Sequence, residues 1–238
     1  MGRAHEVRKV AMEKTAAAKS KLYSKYGKEI YMAAKSGTPD PDTNQALKKI
    51  IEKAKKEQVT ADIIKRAIEK AKGGSEESYY DVRYEGFGPG NSMLIVECLT
   101  DNVNRTIATV KNCFTKTGGK LGVGGSVLHQ FTHNSVFTLP GVTEDEVLEI
   151  LINNNLDISD IEEDEEGVTI FGADNDFNNI RTAISDAKPD LNLTTEVIMW
   201  LPIMKTTLEG EDLEKFDRLI AMLDELDDVQ DVFHNVTL

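Results

Sequence analysis

With 238 residues, 40% of them hydrophobic, the chain is long and apolar enough to build real cores over one to three domains, which excludes a disordered polymer despite a net charge of −13. No apolar run approaches the roughly 18–20 residues that a membrane helix needs, and the first residues lack the apolar stretch of a signal peptide. The two cysteines, Cys98 and Cys113, read as buried reduced thiols, so a cytoplasmic protein with no membrane partner is expected.

The first segment reads as helical. Leu22, Tyr26, Ile30 and Ala33 recur on one helix face, and Gly37 and Pro39 give a stop. A second helix follows the N-cap Asn44, with Leu47, Ile51 and Ala54 on one side. Thr60 starts a third, with Val59 and Ile64 as a hydrophobic staple and Ile64, Ala67, Ile68 and Ala71 as its buried stripe. Gly73, Gly74 and Ser75 then read as a linker.

Beyond it strands and helices alternate. Strands are predicted over Tyr79–Tyr84 and Met93–Thr100, a helix over Asn104–Thr117, and strands over Ser126–Phe131 and Ser135–Leu139. Next come a helix over Glu144–Asn154, opened by the capping-box pair Thr143 and Glu146, strands Ile158–Glu162 and Val168–Phe171, a helix Asn175–Ala187 and a strand Thr194–Leu201. A helix over Glu211–Leu226 and a strand over Val229–Val236 close the chain. The order from Ser135 to Leu201 spells βαββαβ, the ferredoxin-like pattern, and removing it leaves a second split α/β unit. The expected fold is therefore α+β. It comprises a basic three-helix domain (1–75), a discontinuous α/β domain (76–131 and 202–238), and a ferredoxin-like α/β domain (132–201) inserted in the other.

Catalytic chemistry finds little support. His129 and His133 are four apart but lack the Glu of a zinc-protease motif and read as exposed strand residues; Cys98 and Cys113 lack metal-ligand spacing. Gly86, Gly88 and Gly90, and Gly118, Gly119, Gly122, Gly124 and Gly125, form two glycine-rich loops, neither a P-loop nor a dinucleotide fingerprint. Tight turning explains both more simply than approach to a partner's phosphate. Asp101, Asn102 and Asn104 read as helix-entry caps, Arg105 as a salt-bridge partner, and the acidic run Glu162–Glu166 as a solvated hairpin turn. No catalytic residue, cofactor or metal site is expected, and an enzyme using the glycine-rich loops is the weakest reading.

The positive signal is charge. Residues 1–75 carry 18 Lys and Arg against 9 Asp and Glu, and the rest carries 10 against 32, so a segment of +9 precedes a remainder of −22. A solvated lysine-rich surface is the plainer alternative. Lys14, Lys21, Lys25 and Lys28 fall on one helical stripe opposite Leu22, Tyr26 and Ile30, while Arg3, Arg8 and Lys9 extend the basic set. An outward row of ammonium groups suits a phosphate backbone, and the excess of Lys over Arg suits contact without base readout.

Four motifs carry a resemblance. Tyr84-Glu85-Gly86-Phe87-Gly88-Pro89-Gly90, Leu99-Thr100-Asp101-Asn102-Val103-Asn104-Arg105-Thr106, Gly118-Gly119-Lys120-Leu121-Gly122 with Gly125-Ser126-Val127, and Val229-Gln230-Asp231-Val232-Phe233-His234-Asn235 resemble segments of the YebC/PmpR family, which includes a mitochondrial translational activator of cytochrome oxidase. The start, Met1-Gly2-Arg3-Ala4-His5-Glu6-Val7-Arg8-Lys9, is similar to the YeeN-type branch. The resemblance implies a three-domain fold, no cofactor, a bacterial cytoplasmic setting and one of two roles. The first is a DNA-binding regulator of transcription; the second is a translation factor that acts on ribosomes stalled at proline-rich sequences, with RNA as its partner.

Overall fold

A computed structural model describes residues 19–73 and 78–237, with side chains from Leu22 onward. The helices are α1 (Lys19–Ser36), α2 (Gln45–Lys56), α3 (Ala61–Lys72), α4 (Val103–Lys116), α5 (Glu144–Asn153), α6 (Phe177–Ala187) and α7 (Gly210–Asp224). The strands are β1 (Tyr80–Phe87), β2 (Met93–Thr100), β3 (Lys120–Leu121), β4 (Phe131–Leu139), β5 (Ile158–Asp164), β6 (Gly167–Ala173), β7 (Thr195–Pro202) and β8 (Val229–His234). The fold is α+β, as its alternation of periods predicts, and it divides into two compact units. Among the described residues no helix is long and apolar enough to cross a membrane.

One unit holds α1–α3 together with an antiparallel sheet in the order β3-β1-β2-β8 and the helices α4 and α7. Tyr26, Ile30 and Ala33 of α1 meet Leu47, Ile51 and Ala54 of α2 and Ile64 and Ala67 of α3 in one core, the three stripes that the sequence marks. Asn44 caps α2 by accepting the Leu47 N–H at 3.1 Å. Thr60 precedes α3 without a side-chain cap bond, so that start rests on Val59 and Ile64, both buried. In the sheet layer Leu94, Val96 and Cys98 of β2 pack with Val110, Cys113 and Phe114 of α4 and Phe216, Leu219 and Leu223 of α7. Both cysteines are buried thiols outside any disulfide, and burial pushes the Cys113 thiol up from its ordinary value.

The other unit, residues 129–204, is the inserted ferredoxin-like element. Its four antiparallel strands run β5-β6-β4-β7. Phe137 and Leu139 of β4 and Val168 and Ile170 of β6 form a core with Val147 and Leu151 of α5 and Ile180 and Ile184 of α6. The expected capping box closes α5 at its start: Glu146 N–H donates to Thr143 Oγ1 (3.4 Å) and Thr143 N–H to Glu146 Oε2 (3.0 Å). The acidic run 162–166 is the β5–β6 hairpin, as expected.

Two local expectations are corrected. Residues 126–131 do not form a strand: Leu128–Gln130 is a 3-10 turn, and only at Phe131 does β4 begin. The reason is that Glu85 captures the Val127 and Leu128 N–H groups a ladder would need. The third strand of that sheet is instead Lys120–Leu121, paired with Gly86 and Phe87. His129 therefore lies in the turn and not a strand, and His133 is half-buried, stacked on Trp200 at 4.1 Å with Nδ1 2.8 Å from Asp174.

Gly90 is the one glycine of the first loop with a left-handed backbone, at φ +59°, shared with its neighbour Asn91 at φ +60°, and a Cβ at Gly90 would stand 2.5 Å from Leu208 Cδ2. Gly88 has an ordinary φ of −91°, so its need is for space against Ser92 and Leu94. Gly90→Ala is expected to lower stability in denaturant melts by more than about 1 kcal/mol, through positive φ and overlap together. Gly124→Ala, where a Cβ meets nothing within 4 Å, is the control and should stay within about 0.5 kcal/mol.

Candidate nucleic-acid interface

Of the basic residues that the sequence singles out, Arg3, Arg8, Lys9 and Lys14 lie outside the described residues, as does the side chain of Lys21. Lys25 and Lys28 are described, and they do not form an outward row. Lys25 Nζ donates to Asp231 Oδ2 at 3.1 Å. Lys28 Nζ donates to Asp228 Oδ1 at 3.1 Å and to the carbonyls of Leu99 (3.1 Å) and Asp227 (3.0 Å). The expectation that both face solvent is corrected, because a helical wheel knows one packed face and α1 packs on two. Its apolar side meets α2 and α3; its lysine side meets the start of β8 and the end of β2. Burial opposes charge on Lys25, but Asp231 and Glu29 outweigh it and hold the ammonium above its ordinary pKa.

Asp228 is the centre of this contact. Its Oδ2 accepts from Arg105 (2.8 Å) and from the hydroxyls of Thr106 (2.8 Å) and Thr100 (3.1 Å), while Oδ1 accepts from Lys28. Burial pushes the carboxyl up, but these donors overcome it and hold its pKa down at about 2. The Asp101–Arg105 stretch does what its residue types suggest: Asn102 caps α4 by accepting the Arg105 N–H at 3.0 Å, and Arg105 pairs with Asp101 at 2.7 Å as well as with Asp228. Asp228 itself is missed by sequence reasoning; only its place in the Asp227-Asp228 pair before a strand hints at it.

The second glycine loop also closes on a carboxylate. Buried Glu85 of β1 accepts the N–H of Gly125 on Oε1 (2.6 Å) and those of Val127 (2.7 Å) and Leu128 (2.9 Å) on Oε2. Burial would raise its pKa, yet the three peptide donors win and lower it. Converging peptide N–H groups are a common anion site. In this loop the anion is the chain's own side chain, so the loop is architectural and is not an open phosphate cradle.

The basic segment keeps other cations at its surface. Arg66, exposed, pairs with Asp62 of the same helix, and Lys70 Nζ lies 5.5 Å from the Tyr31 ring centroid. Lys48, Lys49, Lys53, Lys55 and Lys56 give α2 an exposed lysine face. Among the described residues no group of three or more His, Cys, Asp or Glu side chains could hold a metal ion.

Helices that carry exposed lysines, an antiparallel sheet pinned by the Glu85 and Asp228 carboxylates and a second antiparallel sheet define an α+β protein with a basic helical segment. The chain belongs to the TACO1/YebC family: the TACO1/YebC protein N-terminal domain matches residues 3–74, and the TACO1/YebC second and third domain matches residues 79–236. A relative from Acholeplasma laidlawii named "Probable transcriptional regulatory protein" is 59% identical over 99% of this chain and 98% of its own length. One of the same description from Alteromonas mediterranea is 52% identical over 99% and 98%. The crystal structure of a conserved hypothetical protein from Aquifex aeolicus superposes with a TM-score of 0.75 at 34% identity, covering 94% of this chain and 92% of that one.

The Asp228 contact predicts acid sensitivity with a definite sign. A carboxyl whose folded pKa is depressed contributes stability that is present above the unfolded value, about 3.9, and is lost as pH falls through about 2. Asp228→Asn should cost on the order of 3 kcal/mol near neutral pH in denaturant melts, by removing the negative charge that Lys28 and Arg105 share, and should flatten the pH dependence below about pH 4. Lys28→Gln should destabilise the fold rather than leave it intact, and a double-mutant cycle with Asp228→Asn should show coupling above about 1 kcal/mol.

Proposed function

We propose that this protein is a DNA-binding regulator of transcription that meets the phosphate backbone through its basic helical domain. The carrying observation is the separation of charge, +9 over residues 1–75 against −22 over the remainder, which leaves that segment as the part of the chain suited to a polyanion. The description shared by the Acholeplasma and Alteromonas relatives supports a regulatory role. In this reading the chain works in the cytoplasm as three domains, 1–75, 76–131 with 202–238, and 132–201, without catalytic chemistry. Arg3, Arg8, Lys9, Lys14 and Lys21 supply the phosphate contacts, while Lys25 and Lys28 act first as the base that orients α1.

One geometric observation favours a second reading, a ribosome-associated translation factor relieving stalling at proline-rich sequences. Groove readout of duplex DNA takes Arg, Asn or Gln side chains. Asn44 is committed elsewhere: Oδ1 caps α2, and Nδ2 donates to the carbonyls of Ala33 and Thr38, each at 2.8 Å. That leaves Arg66, Gln45 and Gln58, with Arg3 and Arg8, as a thin set for base recognition. RNA recognised by shape and phosphates needs no such code.

Competition binding at physiological salt against candidate promoter DNA, scrambled DNA and purified ribosomes separates the two. A regulator of specific promoters is expected to prefer its site by more than ~100-fold over scrambled DNA, a threshold below the usual specificity range. Equal affinity for both DNAs with tight ribosome binding would replace it with the translational reading.

A further inference from the structure

The basic helical segment holds a groove that no role so far uses. It measures about 270 Å3 and is lined by Gly27, Lys28 and Tyr31 of α1, by Arg66 and Lys70 of α3, and by Tyr79, which precedes β1. The two tyrosine rings meet edge to face at 5.8 Å between centroids. Lys28 Nζ lies 5.8 Å from the centre of the Tyr79 ring, and Lys70 Nζ 5.5 Å from that of Tyr31. Aromatic rings interleaved with cations in one groove are the ingredients by which single strands are held, rings for bases and cations for phosphates. The volume falls below the roughly 300–1,000 Å3 of pockets for drug-sized ligands, which suits one unit of a polymer better than a whole cofactor.

Gly27 adds a second, independent observation. It lies in the interior of α1, where glycine weakens a helix. Its backbone is not left-handed, and a Cβ built on it would meet nothing within 4 Å. Neither conformation nor packing therefore requires glycine at this position. A longer side chain there would project into the groove, so the glycine keeps that space open.

We propose that this groove seats one nucleotide of a single-stranded nucleic acid, its base against the half-buried Tyr79 ring, which the buried Tyr31 backs, and its phosphate beside Arg66 and Lys70. This rests on the reading that the helical segment binds nucleic acid, and it adds where and in which form. A duplex keeps its bases stacked inside and offers the groove only phosphates; an acidic peptide would satisfy the cations but leave the Tyr79 ring without a planar partner. The Arg66–Asp62 pair is no obstacle, because both side chains are largely exposed and such a pair rearranges at little cost.

The test uses the full chain and fluorescence anisotropy with a short labelled oligouridylate, an oligothymidylate of equal length and a duplex. Gly27→Leu should keep or raise the melting temperature, since leucine is the better helix former, while weakening single-strand binding about tenfold and leaving duplex affinity unchanged. Arg66→Gln with Lys70→Gln, both on an exposed helix face, should weaken the same binding and flatten its salt dependence by about 0.7 in log–log slope per lost phosphate contact. Equal losses for both oligomers assign the groove to single strands generally; loss for the oligouridylate alone assigns it to RNA, and for the oligothymidylate alone to DNA. Single-strand binding unaltered in both variants would overturn this placement while leaving the nucleic-acid reading intact. Failure of the unsubstituted protein to bind any of the three nucleic acids would overturn both.

Discussion

A single carboxylate governs how the basic helices meet the first sheet. Asp228 sits at the head of β8, half-buried, where an unpaired negative charge would be costly. Its four side-chain donors come from three segments: Lys28 from α1, Thr100 from the end of β2, and Arg105 and Thr106 from the first turn of α4. The Leu99 N–H also donates to the Asp228 carbonyl at 2.8 Å, so backbone and side chain are fixed together. Because the carboxylate is satisfied only when all three segments are in place, α1 is tied directly to the sheet. The neighbouring pair of Lys25 with Asp231 repeats the contact one turn earlier on α1.

The turns that position the sheet follow the same rule, in which a buried acid is the template and the peptide groups adapt to it. Glu85 organises the loop from Gly122 to Leu128: its carbonyl accepts the Gly122 N–H at 2.8 Å and its side chain accepts three more. Gly122 fits because a Cβ there would overlap Ser126 Oγ. At this same end of β1 and β2, Gly86 leaves room for the Phe114 ring, and Asn235 Oδ1 accepts the Met93 N–H at 2.8 Å. The glycines and acids that make these motifs distinctive are thus explained by internal packing and internal anions. That moves the search for a partner's contact away from the loops and onto the helical segment.

Much of this was legible in residue order. Helix faces such as Leu47, Ile51 and Ala54, caps such as Asn44 and Thr143, and the βαββαβ order are local signals, and local periodicity reads them correctly. The strand expected over 126–131 failed because its decisive partner, Glu85, lies some forty residues away and takes peptide donors that β-propensity assumes are available. The lysine stripe failed at Lys25 and Lys28 for a related reason. The wheel placed them correctly opposite the apolar core, but the surface they meet is made by residues 99 and 227–231, which no local pattern connects to α1. The Tyr31, Arg66 and Tyr79 groove was missed because its walls come from three segments, and Gly27 looked like an ordinary helix imperfection.

Fixing two lysines onto carboxylates also changes what kind of interface remains. The chain as a whole is a polyanion at −13, so at long range it repels nucleic acid. At physiological ionic strength that repulsion is screened beyond roughly 8 Å, and only closely apposed charges decide the outcome. Salt then acts in two opposing ways: it relieves repulsion from the acidic remainder and weakens each direct ammonium–phosphate contact. In the proposed reading, with Lys25 and Lys28 held internally, the direct contacts are fewer than the raw lysine count suggests, and a correspondingly shallow salt slope is expected. Such an interface cannot gain tightness by spreading over more backbone, because the acidic remainder opposes a wide footprint. In the proposed reading, binding strength then comes from contacts that do not depend on net charge, such as the half-buried Tyr79 face and shape, beside the helical segment, with the lysines setting orientation.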